Sequence, residues 1–133
     1  MIIGDDEKVY TEVITPDGEV IQTRDGDVMP ILDDYVEAHP AFSWRGAKGI
    51  IVLTGYAGAL GYRITDNLPN TEEMQAKVKA IATIMKKNGW LFACHSHTHW
   101  SAFRTHEITL DQMKWDLDQW KAGIEPWVNE TTI

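Results

Sequence analysis

The sequence predicts an α/β fold: a βαβ unit with a parallel sheet, preceded by an N-terminal β-hairpin. Three observations carry this. Gly49-Ile50-Ile51-Val52-Leu53 and Trp90-Leu91-Phe92-Ala93-Cys94 are short, uncharged and apolar, the pattern of strands buried on both faces. Between them, Met74, Val78, Ile81, Ala82 and Met85 recur at helical spacing. Upstream, polar and apolar residues alternate on both sides of Pro16-Asp17-Gly18, which is how a hairpin reads.

Taken in order, residues 8–23 form the hairpin, with Val9, Thr11, Val13, Val20 and Gln22 in its alternation. Asp25-Gly26-Asp27 is a loop, and Asp27 is placed to cap a helix over 28–38. Pro30 falls in the first turn of that helix, where a missing N–H is harmless. Ile31, Leu32, Tyr35 and Val36 are its expected apolar face, and His39-Pro40 ends it. Strand 49–53 empties into a glycine-rich loop, residues 54–63, which lacks the spacing and lysine of a phosphate-binding loop. Loops at the carboxyl ends of parallel strands often line sites. Tyr56, Tyr62 and Arg63 are therefore candidates there, with ordinary turn glycines and packing tyrosines as the equal alternative.

A helix from Asn70 or Thr71 runs to Asn88-Gly89. Strand 91–94 then completes strand–helix–strand, a right-handed parallel crossover. Thr109 and Gln112 make a capping box for a last helix with Leu110, Met113, Leu117 and Trp120 as its inner stripe and Gly123 as its stop. Residues 128–133 are expected to end the chain loosely. Two buried-type strands do not make a stable parallel sheet. The pattern is that of the middle of a larger α/β barrel or sheet, or of a reduced version that pairs with another copy.

The composition bounds the function. The chain has 133 residues, is 44% hydrophobic and 24% charged, and so holds one globular domain at most. A net charge of -8 and the absence of a basic run argue against nucleic acid as a partner. Lys77, Lys79, Lys86 and Lys87 fall on a helix and read as its solvated face. No stretch approaches about 18 apolar residues, so no membrane span is expected. Met1-Ile2-Ile3-Gly4 is no signal peptide, which leaves localisation open for the parent protein. Cys94 is the single cysteine, so no internal disulfide forms. It reads as a small buried hydrophobe.

The most specific feature is His95-Ser96-His97-Thr98-His99, three of five histidines in one pentapeptide directly after a strand. A strand fixes the backbone and the loop aims the rings, so neutral imidazoles converge cheaply on a divalent metal there. His95 and His99 are four apart, and one tight turn brings both to the same side. His97 then points elsewhere or orients a ligand from behind. Imidazoles in loops also serve as hydrogen-bonded turn groups, and that is the competing reading.

His95-Ser96-His97-Thr98-His99 matches the H-[S/T]-x-x-H motif of the polysaccharide deacetylases with a NodB-like domain. Phe42-Ser43-Trp44-Arg45-Gly46-Ala47-Lys48-Gly49, the loop from Thr54-Gly55-Tyr56 to Gly61-Tyr62-Arg63, and Asn88-Gly89-Trp90-Leu91-Phe92-Ala93 also resemble a bacterial branch of that family. The resemblance is strongest over residues 28–127. It implies part of a distorted (β/α) barrel and a single, incomplete NodB-like domain, with residues 1–27 as a hairpin insertion and 28–127 as the βα core. It implies His95 and His99 as ligands to a divalent metal, usually zinc, and an acetylated polysaccharide as substrate. The family's third ligand and its catalytic base are aspartates of a T-F-D-D-G-like motif. This chain has no such motif, so its catalytic base is unassigned. Asp5-Asp6 is an aspartate pair, but it follows an apolar run too short for a central strand. The later arginine-proline-tyrosine motif and the strand with the acid histidine are also absent. A third ligand is sought among His97, Cys94, His106 and Asp66.

Rival readings are weaker. A metallo-β-lactamase-type H-x-H-x-D-H mismatches at His99 and Trp100, and an amidohydrolase H-x-H lacks its later ligands. The alternative from another class is a non-catalytic carbohydrate- or partner-binding module, its platforms drawn from six tryptophans.

Overall fold

A computed structural model describes residues 1–129. The chain forms β1 (Ile2–Ile3), β2 (Val9–Ile14), β3 (Val20–Thr23), α1 (Val28–Ala38), β4 (Ile50–Leu53), α2 (Thr71–Lys87), β5 (Leu91–Cys94), α3 (Ser101–Thr105) and α4 (Leu110–Gly123). Short 3-10 turns precede β4 and follow α4. The fold is mixed α/β, with an antiparallel sheet in the order β1-β2-β3 and a parallel pair, β4-β5.

Local chemistry sets the element ends. Gly18 takes a left-handed φ of 88° in the hairpin turn, and Thr11 pairs with Thr23 across it. The Asp27 carboxylate accepts from the Val28 N–H at 2.6 Å and opens α1. Thr109 and Gln112 form the reciprocal capping box of α4. Gly89, at φ 97°, lets the chain leave α2 and approach the carbonyl of Gly46.

Helix α2 joins the two sheets. Val78, Ile81, Ala82 and Met85 lie in one core with Val9 of β2 and Phe92 of β5. Trp120, Ile124 and Val128 close it from the C-terminal side. Burying each large side chain contributes about 1.5–3 kcal/mol. Arg24 ties the hairpin to α1, donating to the Asp34 carboxylate at 2.6 and 2.7 Å and to the Val9 carbonyl at 2.6 Å.

Several expectations are corrected. β4 is not buried on both faces: Ile50 and Val52 are 46% and 50% exposed. Ile51, Leu53, Phe92 and Cys94 lie against the core, whereas Ile50, Val52 and Leu91 on the other face are exposed. The stripe Leu110-Met113-Leu117 of α4 faces solvent, at 65%, 44% and 42% exposure, and the helix buries Asp116 and Trp120 instead. On α1, Ile31 and Tyr35 are exposed while Met29, Asp33 and Val36 go inward. Asp33 is drawn in by the Trp90 indole N–H at 2.9 Å and the Lys48 ammonium at 3.7 Å. Val128, expected in a loose end, is fully buried, and residues 130–133 of that stretch lie outside the described residues. Among the described residues no helix is long and apolar enough to cross a membrane.

Candidate functional site

The end of the parallel pair builds the site. Beyond the last strand residues, the His95 N–H donates to the Leu53 carbonyl at 2.8 Å. Gly55 donates to the Ser96 carbonyl at 3.0 Å, and Tyr56 to the His97 carbonyl at 2.7 Å. The glycine-rich loop and the histidine loop are thus laced together at the carboxyl edge of the sheet. A side chain at position 55 would force the histidine loop to shift, since a Cβ there would lie 2.1 Å from His97 Nδ1 and 3.0 Å from its Cα.

The histidine loop turns sharply. Ser96 and His99 adopt left-handed φ values of 67° and 54°, and the Ser96 hydroxyl accepts from the His99 N–H at 2.9 Å. Asp116 of α4 holds the middle of the turn. Its carboxylate accepts from the His97 N–H at 2.6 Å, the Thr98 N–H at 2.9 Å and the Thr98 hydroxyl at 2.5 Å. Burial opposes the charged form of Asp116, but these hydrogen bonds outweigh it and hold its carboxyl below the usual range.

The consequence is that His95 and His99 come together. Their ring centres are 5.1 Å apart, inclined at 44°. Both line one open cleft of about 690 Å³ with Cys94, Trp100, Phe103 and Arg104. Two imidazoles whose nitrogens sit about 2 Å from one tetrahedral zinc have ring centres roughly 5 Å apart, so the pair fits two positions of such a centre. Among the described residues no group of three or more His, Cys, Asp and Glu side chains could hold a metal ion. Cys94 shares the cleft, but burial pushes its thiol above its ordinary pKa and favours the neutral form.

The other candidates fall elsewhere. His97 points away from the pair, edge-on to Trp115 at 6.4 Å, with Nδ1 buried and without a partner among the described residues. It lines a second cleft of about 700 Å³ with Tyr56, Arg63, Asp66 and Trp127. Asp66 is paired there with Arg63. Tyr62 instead donates to the Met1 carbonyl at 2.5 Å. His106 ends α3 in a left-handed conformation. Asp5 and Asp6 belong to the turn after β1, where Asp6 accepts from the Lys8 N–H and the Tyr10 hydroxyl, both at 3.1 Å.

Sequence reasoning missed Asp116. One signal was present: it lies four residues before Trp120, on the same helical face as that core residue. It also missed the wall of the cleft, where Trp100 stacks on Trp115 at 5.7 Å and 9°. No family model matches the chain, and neither a curated protein nor a solved structure matches it.

Proposed function

We propose that this chain carries the metal-binding part of a metal-dependent polysaccharide deacetylase, a hydrolase that removes acetyl groups from a sugar polymer, on a NodB-like domain. The observation that carries the reading is the 5.1 Å approach of the His95 and His99 rings at the end of a parallel strand. Neither ring has a hydrogen-bond partner among the described residues, and their separation suits a shared zinc. When bound, such a metal supplies a Lewis acid toward the acetyl carbonyl and an activated water.

The chain's own residues have defined tasks on this reading. His95 and His99 hold the cation as neutral imidazoles. Asp116 positions both by fixing the backbone between them. Trp100 and Phe103 form apolar walls against which a sugar ring can lie. Among the described residues no carboxylate lines this cleft, and a missing general base costs roughly 10²–10⁴-fold in rate. The 133-residue chain is therefore expected to show little or no deacetylation by itself.

Metal content of the purified chain tests the assignment. Wild type should carry substoichiometric zinc, and His95→Ala and His99→Ala should each carry less. Equal loading in all three removes the ligand assignment. Robust zinc-dependent acetate release from chitooligosaccharides or acetylated xylan would instead show that a base is present. A second reading, sugar binding without hydrolysis, is favoured by the stacked Trp100–Trp115 pair. Glycan capture that persists in EDTA distinguishes it.

A further inference from the structure

Among the described residues, the cleft that holds the histidine pair has one permanent charge, and it is positive. Besides the two imidazoles it is lined by small neutral side chains, by Trp100 and Phe103, and by Arg104 from the last turn of α3. The chain as a whole is acidic, with 20 Asp and Glu against 12 Lys and Arg. Some of its cations pair with carboxylates: Lys8 with Glu37, Arg24 with Asp34, Lys48 with Asp33, Arg63 with Asp66 and Lys77 with Glu73. Arg104 is exposed, and it has no carboxylate partner among the described residues.

We infer that the ligand of this cleft carries an anionic group, and that Arg104 is the residue that selects it. The inference deepens the proposed deacetylase reading and rests on it for the sugar. A guanidinium presents a planar fork of donors that matches a carboxylate or a phosphate in two parallel hydrogen bonds. Trp100, stacked on Trp115 at 5.7 Å, stands in the wall beside Arg104. The substrate class is then an acetylated sugar that bears, or adjoins, a carboxylate or phosphate. A neutral glycan would leave the guanidinium facing water, with no gain from its charge.

Binding of three monosaccharides to the full chain by calorimetry tests this. The probes are N-acetylglucosamine, its C6 carboxylate analogue 2-acetamido-2-deoxyglucuronic acid, and N-acetylglucosamine 6-phosphate. At low salt at least one acid should bind about tenfold more tightly than the neutral sugar. The preference should shrink as salt rises, and which acid is favoured identifies the anion. In Arg104→Gln, at a solvent-exposed position, the preference should fall to within about twofold, with the thermal midpoint as a check on folding. Equal affinity for all three sugars, no measurable binding of either acid, or a preference that survives Arg104→Gln overturns the inference. Repeating the series after EDTA treatment separates the guanidinium from any cation held by the histidines. A chain that takes up no zinc yet keeps an Arg104-dependent preference would defeat the deacetylase reading and leave this one standing.

Discussion

A single carboxylate oxygen of Asp116 accepts both the backbone N–H of Thr98, at 2.9 Å, and its hydroxyl, at 2.5 Å. The other oxygen takes the His97 N–H at 2.6 Å. A residue on the last helix therefore dictates the path of the loop on which both candidate ligands hang. Asp116→Ala removes the acceptor and strands buried donors, at about 1–3 kcal/mol. Hydrogen exchange at the His97 and Thr98 amides should speed up, and zinc loading should fall toward that of His99→Ala. Unchanged exchange at those two amides would show that the loop holds its shape without Asp116.

Gly55 lies on the opposite side of the same loop, against the ring of His97. A Cβ at this position would meet His97 Nδ1 at 2.1 Å, Cγ at 2.8 Å and the backbone Cα at 3.0 Å. The ring can rotate away, but the Cα can move only with the loop. Gly55→Ala should destabilise the chain by about 1–3 kcal/mol, the usual range for overpacking. It should also lower zinc affinity, because the loop carries His95 and His99 with it. A urea midpoint and zinc content matching wild type would contradict this contact.

Acid sensitivity should come in part from the hairpin anchor. The Arg24 guanidinium, hydrogen-bonded to Asp34, holds that carboxyl below the ordinary carboxylate range, against the smaller opposing effect of burial. A carboxyl with a lowered native pKa stabilises the fold fully above the unfolded value, about 3.9, and loses that contribution as pH falls through the native value. The stability gap between wild type and Asp34→Asn should thus be flat above about pH 5 and should close in stronger acid. Urea midpoints measured from neutral pH downward check it; a gap that widens in acid would reverse the assignment.

The buried Asp33 links three elements through Trp90, Lys48 and Asn88, the last at 3.4 Å. Removing one member of a buried ion pair typically costs about 3–5 kcal/mol, because the other charge is left uncompensated. Asp33→Ala should approach that loss and shift the fluorescence of Trp90, while leaving the exchange rates of the His97 and Thr98 amides as they are. A cost below about 1 kcal/mol would mean that Lys48 is satisfied by the Asn88 carbonyl alone, at 2.8 Å.

What the sequence made legible follows from which interactions are local. The starts of α1 and α4 were written in Asp27 and in the Thr109–Gln112 box, because a cap reaches no further than three residues. The meeting of His95 and His99 followed from their spacing. Asp116 was not legible as the organiser of that turn, since its partners are mainly backbone N–H groups, which every residue carries. β1 and α3 were missed because two and five residues are too short to show a period. The exposure of Ile50 and Val52 depends on which element covers that face of the sheet, and their own composition does not encode it.

The face of α4 was misread for a related reason, and it offers the clearest test of the packing. Leu110, Met113 and Leu117 follow helical spacing as well as any core stripe, yet all three are exposed. The helix is rolled so that Asp116 reaches the histidine loop and the Trp120 indole N–H donates to the Leu53 carbonyl at 2.8 Å. One polar clamp and one large aromatic ring outweigh three aliphatic side chains in setting the rotation. Leu110→Glu and Leu117→Lys should therefore each change stability by no more than about 0.5 kcal/mol. Trp120→Ala should cost about 3–5 kcal/mol, since it empties a core position and removes one of the two donors to the Leu53 carbonyl. If either leucine substitution unfolds the chain in urea as readily as Trp120→Ala does, the helix packs through its aliphatic stripe, and Asp116 cannot be the residue that holds the loop.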